Sequence, residues 1–93
     1  MNQPMTTPAP KVLLVEPDPG MVEMLVPSLQ ARLGAQVTCV DTAEGCIETD
    51  LFDPHDVVIA EWALADSDGL ELAEHIHILS PRPVILLTKS AKG

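Results

Sequence analysis

The chain has 93 residues, of which 46% are hydrophobic, and a formal net charge of −9. This length suits one small domain, and no apolar run approaches the roughly 20 residues that would span a bilayer. Because Phe52 and Trp62 are the two aromatic residues, the core must be aliphatic. Residues 1–10 are polar and proline-rich and lack the order of a secretory signal peptide. We interpret them as a disordered leader before a domain of residues 11–93 in a cytoplasmic protein.

The acidic residues are concentrated in one part of the chain. Most of the 14 Asp and Glu residues lie between Gly34 and Pro81, a stretch that contains no Lys or Arg. Such a surface would repel nucleic acid and would attract a cationic partner or a divalent metal. A solvated acidic face that keeps the protein in solution is the simpler interpretation.

The cysteines and histidines match no metal or redox motif. Cys39 and Cys46 are too far apart for a zinc or redox pair, so we expect two buried thiols. His75 and His77 lie two residues apart on a predicted helix and point to opposite sides, and His55 lies in a predicted turn. We expect none of the three histidines to bind a ligand.

Four short apolar segments alternate with three helical segments. We predict strands at residues 11–16, 35–40, 56–60 and 84–87, and helices at residues 19–33, 43–51 and 70–79. The first, third and fourth strands have the continuous apolar composition of buried parallel strands, and the second is predicted to be an edge strand. The alternating order predicts a mostly parallel sheet with helices on both faces.

Local signals set the ends of the first helix. Asp18 is a good N-cap, and Pro19 suits the first helical position. Gly34 should end the helix, and Pro27 should kink it.

Polar side chains follow three of the predicted strands. They are Glu16 with Asp18 just beyond, Glu61, and Thr88. If these strands are neighbours, the side chains meet at the carboxyl edge of the sheet, where ligands bind in open α/β folds. Carboxylates gathered in this way suit Mg2+, and a carboxylate beside a metal can accept a phosphoryl group. The plainer alternative is that strand ends are acidic because they are exposed.

Three segments resemble the receiver domain of two-component response regulators. Residues 11–19 (KVLLVEPDP) are similar to the first strand and acidic pair of that family. Residues 55–72 (HDVVIAEWALADSDGLEL) resemble its third strand, phosphorylation loop and third helix. Residues 83–88 (PVILLT) resemble its fourth strand and switch threonine.

The resemblance implies a flavodoxin-like, three-layer α/β/α fold with a parallel sheet of order 2-1-3-4. The family's fifth strand and last helix would be absent from this chain. It also implies a phosphorelay signalling module that is not an enzyme and that binds a sensor kinase or an output domain. In that family, Glu61 would occupy the phosphoacceptor position, Glu16 and Asp18 the acidic pocket, and Thr88 the switch.

The chain departs from the family pattern at several positions. The family has Asp where this chain has Glu61, and the extra methylene moves the carboxylate by about 1.5 Å. The second acid of the family's pair, usually the direct metal ligand, is replaced by Pro17. Ala65 stands where the family usually has proline, and the essential lysine of the fifth strand has no counterpart other than Lys89. These departures predict a pseudo-receiver that acts through protein–protein interaction and without the usual phosphorylation.

Two alternatives remain open at this point. One is a Mg2+-dependent phosphoacceptor that uses Glu61, with Glu16 and Asp18 as weak candidate ligands; otherwise we expect no cofactor. The other is an assembly fragment that pairs through residues 84–87 as an unpaired strand edge, which would allow a homodimer.

Overall fold

The computed structural model describes residues 8–79 and 81–87. The predicted leader therefore falls mostly outside the described residues and stays a prediction. The elements in chain order are β1 (Lys11–Val15), α1 (Pro19–Leu33), β2 (Gln36–Val40), α2 (Ala43–Phe52), β3 (Val57–Glu61), α3 (Gly69–Leu79) and β4 (Val84–Leu87). Every predicted element is present, with ends that differ from the prediction by at most one residue.

The four strands form one parallel sheet of order β2-β1-β3-β4, as the resemblance implied. Val15 pairs with Val40 on one side and with Ala60 on the other. β2 therefore pairs with one side of β1, and β3 pairs with the other side. Because strand connections of this kind are right-handed, α1 covers one face of the sheet, and α2 and α3 cover the other.

The main core lies between the sheet and the helices α2 and α3. Its strand residues alternate toward this face, and its helix residues lie one turn apart. The members of this core are Leu13, Val15, Val58 and Ala60 from the sheet and Ala43, Cys46, Leu72 and Ile76 from the helices. All are aliphatic or small, as expected from a chain with two aromatic residues.

The ends of α1 match the sequence signals. The Asp18 carboxylate accepts a hydrogen bond from the Gly20 N–H at 2.9 Å, and Pro19 is the first helical residue. At the other end Gly34 adopts a left-handed conformation with φ of 63° and donates its N–H to the Gln30 carbonyl at 3.0 Å. The helix contains Pro27 and continues beyond it, and none of its residues is fully buried.

Two predictions of burial are wrong. β4 is not a fully buried strand, since Ile85 keeps 50% of its surface exposed. Val84 and Leu86 pack against the core, so Ile85 points to the opposite face, and β4 pairs with β3 alone among the described strands. Cys39 is also exposed, because it lies on the edge strand β2. Only Cys46 is buried, and burial together with the nearby Asp50 raises the pKa of its thiol to about 12.

A buried ion pair joins α2 to the segment before β4. The guanidinium of Arg82 contacts the carboxylate of Asp50, and both side chains are more than nine-tenths buried. The same carboxylate oxygen accepts the His55 N–H at 3.2 Å. The ring of His55 is buried and contacts the Asp53 carbonyl at 2.6 Å and the Thr38 hydroxyl at 3.1 Å. These contacts give His55 a structural role.

Lys11 joins the start of β1 to the turn before β3. Its ammonium pairs with Asp53, and its backbone N–H donates to the Asp56 carboxylate at 2.7 Å. The hydrogen bond from Lys11 holds the pKa of the Asp53 carboxyl below its usual value. Asp53 and Asp56 of the acidic segment therefore stabilise the amino-terminal edge of the sheet. The acidic segment thus does more than form a solvated face.

We predict that R82A destabilises the domain by about 3 kcal/mol, because it leaves the buried Asp50 carboxylate without its charge partner. The midpoint and slope of urea unfolding, followed by circular dichroism, give the change. The control is R32A in the last turn of α1, where the arginine is exposed and the expected loss is below about 1 kcal/mol. Equal losses in the two variants would contradict a stabilising buried pair.

Candidate functional site

Two carboxylates are buried next to each other at the carboxyl edge of the sheet. Glu61 is the last residue of β3, and Glu16 directly follows β1. β1 and β3 are paired neighbours with Val15 opposite Ala60, so the two acids follow at adjacent positions. Each is only 3% exposed. They lie where the order of strand addition reverses, which is the usual ligand position in such sheets.

The carboxylate of Glu61 has little of its hydrogen-bonding capacity satisfied. Its Oε2 accepts the Ala63 N–H at a long 3.5 Å, and its Oε1 is buried without a hydrogen-bond partner among the described residues. A buried polar atom without a partner costs free energy. The arrangement leaves an acceptor oxygen available for a donor or a cation.

Glu16 is tied to the start of α1. Its Oε2 accepts the Asp18 N–H at 3.1 Å, and its own N–H donates to the Val40 carbonyl at 2.9 Å. The side chain of Asp18 caps α1, as described above. Pro17, exposed between the two acids, offers no side-chain ligand.

The described residues do not form an all-protein cage for Mg2+. In the described part of the chain, no group of three or more His, Cys, Asp or Glu side chains could hold a metal. Mg2+ commonly takes one or two carboxylates and completes its octahedral coordination with waters or substrate phosphates. At this edge Glu16 and Glu61 are buried carboxylates, and Asp18 caps α1 with one of its oxygens. We therefore derive no step through a metal.

Thr88 and Lys89 lie outside the described residues. The last described residue of β4 is Leu87, which pairs with Glu61 across the sheet. Its carbonyl accepts the Trp62 N–H at 2.8 Å. The proposed roles of Thr88 and Lys89 stay predictions.

A closed loop connects β3 to α3 directly after Glu61. The Gly69 N–H donates to the Trp62 carbonyl at 2.7 Å, and the Leu64 N–H donates to the Ser67 carbonyl at 3.1 Å. A Cβ atom at Gly69 would lie 2.8 Å from the Leu86 side chain and 3.0 Å from the Glu61 carbonyl. A larger residue at this position would displace the Leu86 side chain and crowd the Glu61 carbonyl, so close approach favours glycine here.

The same loop starts the third helix with a pair of side-chain contacts. The Asp68 carboxylate accepts the Glu71 N–H at 2.8 Å, and the Ser67 hydroxyl donates to the Glu71 carboxylate. This resembles a capping box and gives the Ser-Asp-Gly sequence a structural purpose.

Asp66 links the loop to the second helix, a contact that sequence reasoning missed. Its two carboxylate oxygens accept the N–H groups of Ala43 at 2.9 Å and Glu44 at 3.0 Å. These bonds hold the pKa of the Asp66 carboxyl below its ordinary value of 3.8. The partners are more than 20 residues away in sequence, so no local motif indicates the contact. The α2 cap Thr42, which accepts the Gly45 N–H at 3.0 Å, completes this helix start.

We predict that D66N lowers the urea midpoint at pH 7, because the amide offers one acceptor oxygen in place of two and removes the charge that favours a helix N-terminus. Since folding lowers the pKa of Asp66, its contribution is present above pH about 4 and is lost as the pH falls through the folded-state pKa. The difference from the parent protein should therefore shrink in acid.

The matched control is E23Q, which removes an exposed carboxylate from α1. It should leave the midpoint nearly unchanged at both pH values. A D66N midpoint equal to that of the parent at pH 7 would contradict the capping role.

Comparison of the sequence with protein-family models and with curated proteins gives no match. None of the helices in the described part of the chain has the length and hydropathy needed to cross a membrane.

Solved structures do match the fold. The signal receiver domain of an HD domain-containing protein from Pseudomonas fluorescens Pf-5 superposes with a TM-score of 0.84 at 26% identity, over 99% of this chain and 68% of that one. The non-phosphorylated HemR receiver domain from Leptospira biflexa gives 0.78 at 29% identity, over 90% and 68% of the two chains. A two-component response regulator from Clostridium difficile gives 0.81 at 22% identity, over 89% and 68%, and supports the fold alone.

The agreement covers the strand order, the parallel sheet and the three helices described above. The fifth strand and the last helix of that fold have no counterpart among the described residues. The chain thus has the fold of a response regulator receiver domain, of which the described residues form the first four strands and three helices.

Proposed function

We propose that this chain is a two-component signalling module that acts through protein–protein contact and is not phosphorylated in the usual way. The observation that carries this proposal is the burial of Glu61. The residue that corresponds to the family's phosphoacceptor has the longer side chain and is almost fully enclosed at the end of β3.

The geometry around Glu61 is unfavourable for phosphoryl transfer. In-line transfer depends on accurate positioning of the nucleophile, and a displacement of about 1 Å can cost about 100-fold in rate. The metal that neutralises charge in such reactions would have to bind beside Pro17, which has no carboxylate. Asp18, the nearest further acid, caps α1 with one of its oxygens.

The fold supports a binding module whose partners are proteins. A sensor kinase or an output domain of a two-component system is the class of partner that this fold suggests. The acidic composition disfavours nucleic acid, and we propose a cytoplasmic location and no enzymatic activity of its own. The contact surfaces rather than a covalent phosphate would then carry the signal.

We predict that incubation with acetyl phosphate and Mg2+ adds no phosphoryl group to the protein, because Glu61 is enclosed and Pro17 replaces the second acid of the family's pair. Intact mass spectrometry measures the product, and the expected modified fraction equals that of E61Q. A receiver domain with Asp at the acceptor position serves as the positive control for the phosphodonor.

A phosphoryl adduct in the parent that E61Q and chelation of Mg2+ both abolish would contradict this proposal. It would favour instead the Mg2+-dependent phosphoacceptor that uses Glu61, with Glu16 and Asp18 beside it.

A second candidate function, assembly through β4, is favoured by the exposure of Ile85. β4 pairs with β3 alone among the described strands, so its outer edge presents backbone donors and acceptors that another strand could pair. Half of the Ile85 surface is exposed beside this edge. A second copy of the chain is the simplest partner, since isologous dimers are common.

This candidate predicts a concentration-dependent dimer in analytical ultracentrifugation, and I85K should shift the chain to monomer because edge lysines oppose strand pairing. M24K, which replaces an exposed apolar residue on α1, is the matched control and should leave the dimer intact. A monomer at all concentrations would remove the candidate.

A further inference from the structure

A groove of about 620 Å³ lies between α3 and β4. Residues on one side of α3 form its helical wall, and we call them the α3 stripe: Ala73, Glu74, His77 and Ile78. Val84 lines the groove on the β4 side. Ile78 keeps 80% of its surface exposed, and Ala73 and Val84 are half-buried. The groove therefore presents apolar surface that a partner can reach.

The groove borders the open edge of the sheet. β4 pairs with β3 alone among the described strands, and α3 lies over this strand pair. The first residue of α3, Gly69, closely approaches the Glu61 carbonyl of β3 and the Leu86 side chain of β4. A partner that pairs with the β4 edge would therefore also lie beside α3.

Two-fold symmetry would bring two copies of α3 together. A two-fold axis perpendicular to the sheet at the β4 edge sets β4 antiparallel to its copy. On the same face of the sheet, it sets α3 antiparallel to its copy. Because α3 lies over the β3–β4 pair and neighbouring strands are about 4.8 Å apart, the two α3 axes would lie about 10 Å apart. Packed helices are separated by about 8–10 Å, so the two α3 helices can make direct contact.

The α3 stripe is complementary to itself in this antiparallel arrangement. When the two helices cross midway along the stripe, Glu74 lies opposite the partner's His77, and Ala73 lies opposite the partner's Ile78. An imidazole N–H can donate to the Glu74 carboxylate, and a small side chain opposite a large one fills the space between the helices. An isologous interface requires such self-complementarity, and each contact occurs twice.

We propose that α3 packs antiparallel against the α3 helix of a second copy, and that Glu74 and His77 set the register of this dimer. The exposed Ile78 is then covered by the partner's Ala73 and by the apolar side of the groove. A second copy in this orientation supplies a donor to Glu74 and an acceptor to His77 at the same time. The dimer thus satisfies both polar positions of the stripe.

This inference rests on the proposed assembly through β4 and deepens it, because it assigns a helix contact to the same dimer. The two can fail separately, since I85K acts on the strand edge and changes at Glu74 and His77 act on α3. A dimer that I85K abolishes and that the α3 variants leave unchanged would retain the strand contact and overturn the helix contact.

The register is tested by sedimentation equilibrium of E74K, of H77E and of their equimolar mixture. E74K places a second donor opposite His77, and H77E places a second carboxylate opposite Glu74. Since each mismatch occurs twice per dimer, each variant alone should dimerise about tenfold or more weakly than the parent.

The mixture separates contacts between copies from effects within one helix. In the mixed dimer the introduced lysine faces the introduced glutamate, and the remaining Glu74 faces the remaining His77. We therefore expect the mixture to dimerise as strongly as the parent to within about threefold. A mixture of E74K with H75E should show no such recovery.

H75E is the matched control, because His75 lies on the other side of α3, where it lines the space between α2 and α3. Alone, it should dimerise like the parent. Far-UV circular dichroism checks that each variant is folded. If E74K or H77E does not fold, E74Q and H77Q replace them, and each should weaken the dimer by at least about threefold while H75Q does not.

Three results would overturn the proposal. The first is a parent chain that is monomeric at all concentrations. The second is equal weakening by H75E and H77E. The third is a mixture of E74K and H77E that dimerises as weakly as its components.

Discussion

The carboxylates of Glu16 and Glu61 lie at the ends of two neighbouring parallel strands, with almost no exposure to solvent. Burial of two acids in adjacent positions is costly unless surrounding groups hold them. The backbone donates to one oxygen of each acid, and the loop after β3 closes tightly through Gly69. The strand order 2-1-3-4 produces this neighbourhood, because it makes β1 and β3 adjacent.

Two sets of side-chain contacts hold the elements around that edge in place. At the opposite edge of the sheet, Arg82, Asp50 and His55 tie α2, β2 and the approach to β4 together. On the near side, Asp66 joins the loop after β3 to α2. Asp66 therefore connects the loop that follows Glu61 to the start of α2.

Local patterns predicted much of this structure, and long-range contacts were missed. The caps at Asp18 and Gly34 and the position of β4 follow from short sequence signals. The bonds of Asp66 and the pair of Asp50 with Arg82 join residues more than 20 positions apart, so no local signal indicates them. The prediction that all of β4 is buried was wrong at Ile85, because the burial of an apolar strand depends on the elements that cover its two faces. Amino-acid composition gives no information about those elements.

We propose that the buried pair Glu16 and Glu61 does not operate as a metal-dependent phosphoacceptor. Titration with Mg2+, followed by the side-chain carboxyl ¹³C shifts of both residues, tests it most directly. We expect small, non-saturating shifts like those of exposed acids such as Glu23. A saturable change at Glu16 and Glu61 together, at millimolar Mg2+ or below and absent in E61Q, would contradict it.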